Sequence, residues 1–306
     1  MKTPESTGLI IVGGPTGSGK TKFAIHLAKV INGELINADS RQIYKLLNIG
    51  TNKGNLEYIN KQATIDGIPI HIIDFLDLEK RFSVFEWREE ALSKIEDIEV
   101  RGKVPILVGG TGLYIDSLIK NYNYSSKFKL NAKQFETLVS LDIDNLILIQ
   151  QTLAHRFPEI WNSLNYSDQN NLRRLQRLIE KHANNDKNLA NTSSKVISDY
   201  LFYYPRYDLE SLKVRLGDRV DRMFAEGLVD ETMKVLKMGF DGKTIALQIM
   251  GYKQVIRYLN REISIEETIK LVKIAHNQYA KKQRTWFEGE GRGYKLKLID
   301  FKNGKS

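Results

Sequence analysis

Apolar residues in this chain come first as a short continuous run and then at helical spacing. "GLIIVGG" (8–14) is a compact, largely β-branched apolar run that ends in glycines, which predicts a buried strand. Phe23, Ala24, Leu27, Ala28 and Ile31 then fall on one helical face over 20–31, and Asn32-Gly33 stops that helix. "ELINAD" (34–39) and "IPIHIID" (68–74) predict a second and a third strand. Ser83 to Glu86 has the form of a capping box, with Val84, Trp87, Ala91, Ile95 and Ile98 at helical spacing behind it. "VPILVGG" (104–110) is another buried run. Strand, glycine loop, helix, strand, helix, strand predicts an α/β fold, a parallel sheet flanked by helices.

The pattern changes after about residue 120. "NYNYSSKFKLNAKQ" (121–134) is polar and irregular, and helical segments without buried-strand runs continue to about residue 200. Among them are a basic helix, "LRRLQRLIEKH" (172–182), and a loop, "ANNDKNLANTSS" (183–194). This divides the chain into a core of 1–120 and 200–306 and a helical insertion domain of 121–199. In the core, 209–238 predicts one long helix with Leu212, Leu216, Val220 and Met223 inward. Ser264 to Glu267 forms a second capping box for a helix reaching about Trp286, and "YKLKLID" (294–300) alternates as a late strand.

Charge adds a hint about partners. The 306 residues hold 46 Lys+Arg against 37 Asp+Glu, a net charge of +9 that suits an anionic partner such as nucleic acid. There is no cysteine, so disulfides and thiolate metal sites are excluded, which fits a reducing cytoplasm. No apolar run approaches the ~20 residues of a membrane span. The N-terminal "MKTPESTGLIIVGG" does not read as a signal peptide, because its short apolar run leads straight into the glycine loop.

That loop carries the chemistry. Gly14, Gly19, Lys20 and Thr21 satisfy G-x-x-x-x-G-K-S/T between a strand and a helix. Through Gly14, Pro15, Thr16, Gly17, Ser18 and Gly19, backbone N–H groups can turn onto an anion at a helix N-terminus. Lys20 adds a point charge, and the Thr21 hydroxyl can ligate Mg²⁺. The motif predicts a P-loop NTPase-like core but leaves the owner of the diphosphate open.

Three further stretches bear on it. Asp39, in "ADSRQIYKLLNIGT" (38–51), follows the second strand, where open α/β sheets place ligand sites; Asp39 or Ser40 suits a helix N-cap equally well. Thr111 closes the strand at 104–110 beside the glycine loop, or else caps a helix. Arg215, Arg219 and Arg222 share a helix face that could clamp phosphate oxygens or lie solvated with Asp218 and Asp221.

Taken in order, "GPTGSGKT", "DSRQIYK…NIGT", "VPILVGGTGLY", "RVDRMFAEGL", "GYKQVIRYL" and "QYAKKQRTWF" resemble the tRNA dimethylallyltransferases, the bacterial-type tRNA isopentenyltransferases, from about residue 10 to about 288. The resemblance implies that the loop holds the diphosphate of dimethylallyl diphosphate, though nucleoside triphosphate binding is often attributed to it. It implies transfer of the dimethylallyl group to the exocyclic amine of the adenosine 3′ of the anticodon, in tRNAs reading codons that begin with U. Asp39 matches the family's general base. Lys20, Arg219, Thr16 and Mg²⁺ on Thr21 match the groups that receive the leaving diphosphate. Ser40, Arg41 and Gln42, with Thr111, would hold the extruded base. Arg173, Arg174 and Arg177 match a tRNA-contacting segment of the insertion, and Gln248 and Lys253 match another. The partners implied are tRNA, through its anticodon stem-loop, and the prenyl donor; a monomer is expected.

Several positions depart from the family pattern. Leu46 replaces the usual glycine, Asn52-Lys53-Gly54 stands for Ala-Lys-Pro, and Gln248 to Lys253 loses one arginine and softens another. None of the five histidines is assigned a catalytic role. The competing readings are a small-molecule P-loop kinase, an adenylate isopentenyltransferase and a non-catalytic RNA-binding module.

Overall fold

The computed structural model describes residues 8–120, 136–137, 140–142, 144–183, 196–289 and 291–300. It separates into two compact units, one of residues 1–120 with 196–306 and one of 121–195.

The larger unit is built on an eight-stranded sheet of order β3-β4-β5-β2-β6-β1-β7-β8. The strands are β1 (Leu9–Gly13), β2 (Gly33–Asn37), β3 (Leu56–Ile59), β4 (Gln62–Ile65), β5 (Ile68–His71), β6 (Val104–Gly109), β7 (Tyr200–Arg206) and β8 (Leu296–Asp300). Strands β5, β2, β6, β1, β7 and β8 run parallel. Both faces are covered, so alternate residues enter different cores, as a buried parallel sheet requires. Ile10, Val12, Leu35, Ile106 and Val108 pack on Ala24, Ile25 and Ala28 of α1 (Lys20–Ile31). Leu9, Ile11, Ile36, Leu107 and Phe202 face the opposite core. There they meet Trp87, Ala91, Ile95 and Ile98 of α2 (Val84–Val100) and Tyr114 and Leu118 of α3 (Gly112–Ile119).

Ser83 and Glu86 form the expected capping box. β1, β6 and β2 are neighbours in register, with Val12 and Asn37 both opposite Val108. Their C-terminal ends therefore deliver three segments to one edge: the loop after β1, the segment after β2 and the turn after β6. That edge is where such sheets bind ligands.

Three features differ from the sequence reading. The sheet is mixed at one edge, because β3 and β4 form a hairpin that pairs antiparallel with β5. Asn60 and Lys61, at φ 49° and 67°, make its left-handed turn. β3 lies largely exposed, so no apolar run announces it. The sequence does not announce β7 either, since "YLFYYPR" shows no regular apolar–polar alternation and holds a proline.

The long helix of 209–238 is two helices, α8 (Leu209–Ala225) and α9 (Leu228–Lys237). Gly227 between them takes φ 99°, which breaks the helical hydrogen bonding and re-aims the chain. The inward set Leu212, Leu216, Val220 and Met223 is buried as expected. A 3₁₀ turn (Ile245–Gln248), α10 (Tyr252–Leu259) and α11 (Ile265–Glu288) complete the helices of this unit; Ser264 caps α11 through the Glu267 N–H.

The smaller unit holds α4 (Leu146–Arg156), α5 (Pro158–Asn162), α6 (Tyr166–Gln169) and α7 (Leu172–Ala183) around Ile149, Leu153, Phe157, Ile160, Leu175 and Ile179. The polar stretch 121–134 and nearly all of the loop 183–194 lie outside the described residues.

Candidate active site

Between β1 and α1 the chain turns through Gly14–Gly19. Gly17 has φ 81°, and a Cβ there would lie 2.9 Å from Leu216, so a glycine is what lets the loop run against α8. Lys20 Nζ donates to the Pro15 carbonyl at 3.3 Å, which curls the side chain back over the loop. Burial lowers the Lys20 pKa to about 8; Asp39 opposes the shift and Arg219 adds to it. Lys20, Asp39 and Arg219 thus share one electrostatic neighbourhood. The buried Ser18 hydroxyl has no hydrogen-bond partner, an orphan of the kind an oxyanion would satisfy.

Thr16 is fixed from two sides. Its N–H donates to Gln283 Oε1 at 2.8 Å, and Gln283 Nε2 donates to the Gly110 carbonyl at 2.9 Å. One carboxamide on α11 therefore ties the phosphate loop to the turn after β6. The Thr16 hydroxyl accepts from Arg219 Nη1 at 2.6 Å.

No helix follows Asp39, so the N-cap alternative for Asp39 and Ser40 does not apply. Asn37 brackets Asp39 instead, accepting its N–H and donating to its carbonyl, both at 3.2 Å. Asp39 Oδ1 accepts the Arg41 N–H at 2.9 Å. Thr111 sits at the start of α3 but makes no side-chain cap bond; its Oγ1 accepts the Ser40 N–H at 3.0 Å. The Gln42 carboxamide donates to the carbonyls of Asn52 at 2.9 Å and Thr51 at 3.3 Å, so its oxygen is left as an acceptor. Thr16, Lys20, Thr21, Asp39, Gln42 and Arg219 line one cavity of about 380 Å³.

The segment 46–54 is anchored from below. Glu231 of α9 accepts the N–H groups of Asn48 (2.9 Å), Ile49 (3.0 Å) and Gly50 (3.3 Å), and the Tyr252 hydroxyl donates to it at 2.6 Å. Lys53 is buried, donating to the Tyr44 carbonyl at 2.6 Å, to Asn48 Oδ1 at 3.0 Å and to the Asp74 carboxylate. Lys53 is therefore a structural cation. Leu46 stands at φ 65°, a conformation suited to the glycine it replaces.

The other expected residues are not gathered there. Of the arginine stripe, Arg219 alone points inward; Arg215 and Arg222 are exposed, and Asp221 pairs with Lys273 at 2.7 Å. Gln248 and Lys253 are exposed and line a separate cavity of about 690 Å³ with Lys243 and Arg257. In the smaller unit Arg174 pairs with Asp168; the side chains of Arg173 and Arg177 lie outside the described residues.

Sequence reasoning missed the α11 face. His276, Tyr279 and Gln283 recur at i, i+3, i+7. Arg41 lies over the Tyr279 ring at 5.4 Å, and burial, with Asp39 nearby, raises the Tyr279 pKa. His276 is buried, 2% exposed. The signal was the helical spacing inside "HNQYAKKQ", hidden because each of these residues also suits a solvated face.

Among the described residues no cluster of His, Asp and Glu forms a metal cage. Thr21 offers one hydroxyl at the cavity, an oxygen ligand of the kind that would suit a Mg²⁺ ion brought in on a phosphate substrate.

Comparison with known proteins follows the same lines. The family model described as IPP transferase matches residues 42–290. A tRNA dimethylallyltransferase of Staphylococcus haemolyticus is 37% identical over 92% of this chain and 84% of its own. One from a Thermoanaerobacter species is 35% identical over 92% and 89%. The crystal structure of the full-length tRNA isopentenylpyrophosphate transferase of Bacillus halodurans superposes with a TM-score of 0.67 at 31% identity, covering 96% of this chain and 89% of that one. A eukaryotic dimethylallyltransferase captured acting on tRNA superposes with a TM-score of 0.72 at 31% identity, covering 96% and 73%.

Proposed function

The chain belongs to the IPP transferase family, that of the tRNA dimethylallyltransferases, and we propose that it transfers the dimethylallyl group of dimethylallyl diphosphate to the exocyclic amine of the adenosine 3′-adjacent to the anticodon. The substrates are tRNAs reading codons that begin with U, and the products are N6-isopentenyladenosine and diphosphate. One observation carries this reading: an anion cradle and the Asp39 carboxylate line the same cavity.

The chemistry needs that juxtaposition. The exocyclic amine is a weak nucleophile because its lone pair is delocalised into the purine. As the nitrogen bonds to the allylic carbon, the carbon–oxygen bond breaks and its electron pair leaves on diphosphate. Asp39 accepts the proton the amine loses. Lys20, Arg219 and the loop N–H groups receive the developing charge. Thr21, with the phosphates of the donor, would hold a Mg²⁺ ion, which would supply further charge neutralisation. Gln42, fixed with its oxygen as acceptor, and Ser40, Arg41 and Thr111 hold the base, whose extrusion from the anticodon loop costs a few kcal/mol. The basic helix at 172–182 and the surface with Gln248 and Lys253 grip the anticodon stem-loop. The enzyme works as a cytoplasmic monomer.

The test is incubation with dimethylallyl diphosphate and unmodified tRNA, followed by mass spectrometry of the nucleosides. The reading expects isopentenyladenosine beside the anticodon. Parallel arms with adenosine monophosphate and with ATP separate the alternatives: prenylation of free nucleotide alone, or phosphoryl transfer, would replace it.

A further inference from the structure

Among the described residues, two buried side chains have polar atoms without a hydrogen-bond partner: the Ser18 hydroxyl and both ring nitrogens of His276. Unpartnered buried polar atoms are rare because each forfeits its hydration, and a native structure that keeps one commonly uses it with a ligand. Ser18 is in the phosphate loop. His276 is on α11, and its place relative to the loop follows from the packing of α11 on α8.

Ala280 packs with Leu212 and Leu216, and Lys273 pairs with Asp221, so the two helices run in opposite directions. His276, between Lys273 and Ala280, therefore lies level with Arg219, between Leu216 and Asp221. Two turns further along the same face, Gln283 holds the Thr16 N–H. The charged groups that act on His276 are Arg219 from α8 and Arg41 from the segment after β2. Both are cations, and Arg219 already bonds the loop.

We infer that His276 is a ligand of the departing anion, donating a ring N–H to an oxygen of the diphosphate that the loop, Lys20 and Arg219 receive. The inference rests on the proposed reading of the loop as a diphosphate site. Burial first, and then the two guanidiniums, hold the free imidazole down to a pKa of about 4, so it is neutral at physiological pH and has an N–H to give. An anion bound beside it offsets both arginines and raises its affinity for a proton. Gln283, two turns along the same face, does not duplicate this role, since it spends its carboxamide on backbone groups.

The test uses the full chain with inorganic diphosphate and Mg²⁺. Imidazole ¹⁵N resonances of the wild type are titrated with pH, with and without diphosphate, and diphosphate affinity is measured by calorimetry for the wild type, His276→Leu and His276→Asn. The expected results are a His276 pKa raised by about 1–2 units in the complex. Affinity should fall about tenfold or more in the Leu variant, with part of it recovered in the Asn variant, which keeps a donor. The Leu variant should also melt no lower than wild type, because it removes an unpartnered polar group; a purely structural histidine would behave in the opposite way. Should the Leu variant not fold, the wild-type resonances decide alone. If diphosphate binds while His276 resonances stay put, or binds the Leu variant as tightly, the inference falls and the loop keeps its assignment. If the wild type binds no diphosphate, the loop assignment falls and the inference with it.

Discussion

The Thr16 hydroxyl accepts a 2.6 Å hydrogen bond from Arg219, a residue 203 positions away on α8. This bond brings a guanidinium from outside the Walker-type motif onto the loop that motif builds. Arg219→Ala should lower single-turnover prenyl transfer by about 10²–10³, the usual cost of removing one group aimed at developing negative charge. Thr16→Ala should cost less. The double variant should fall short of the product of the two losses, because the residues act through a shared contact.

Lys20 sets the alkaline limb. Burial lowers its pKa to about 8, so above that pH the unliganded enzyme has lost a cation from the cradle. KM for the prenyl donor should rise as pH passes about 8, with a smaller change in kcat. Lys20→Met should abolish that inflection. The stability consequence has the opposite sign. The unfolded chain binds the proton up to about 10.5, so Lys20's contribution to stability improves as pH rises from about 8 to 10.5. Urea titrations of wild type and Lys20→Met across that window check this.

Glu34 governs acid stability. Its buried carboxylate accepts from Arg101 (2.5 and 2.8 Å) and from Lys103 (2.7 Å), and pairs with the His71 ring at 2.8 Å. Burial alone would raise its pKa, but these partners pull it down to about 2. The stability it contributes is complete above the unfolded value near 4.5 and is lost as pH falls from there towards 2. Glu34→Gln strands the Arg101 and Lys103 cations and should cost about 3 kcal/mol at neutral pH, flattening the acid limb of the denaturation profile.

Leu46 offers a gain. It holds φ 65° while 39% exposed, so its side chain returns little packing for the backbone conformation. Leu46→Gly should stabilise the protein by about 0.5–1 kcal/mol, read from the denaturant midpoint at constant m-value. Transfer activity should stay unchanged, since Glu231 and Lys53 hold the segment independently.

Much of this architecture was legible because the buried strands are continuous apolar runs and the phosphate loop has a fixed spacing. Asp39, Thr111 and Arg219 were each ambiguous alone; the structure shows their positions instead, Asp39 held by its neighbour Asn37, Thr111 by the Ser40 N–H and Arg219 by the distant Thr16 hydroxyl. The hairpin β3–β4 and β7 were not legible, since exposed or aromatic strands lack a strong period-two signal. The break at Gly227 was a single residue inside a continuous helical pattern. His276 and Tyr279 escaped because burial of a polar residue depends on what packs against it, and their neighbours, Arg219 and Arg41 for His276 and Arg41 for Tyr279, are remote in sequence.

In the proposed reaction Asp39 takes the proton from the amine at the anion cradle. Asp39→Asn keeps an oxygen for the Arg41 N–H, so the local fold should persist. Single-turnover prenyl transfer to tRNA by this variant, with tRNA affinity measured alongside, reads that proton transfer. The rate should fall by about 10²–10⁴ with tRNA affinity retained. A variant that transfers the prenyl group at the wild-type rate would contradict it.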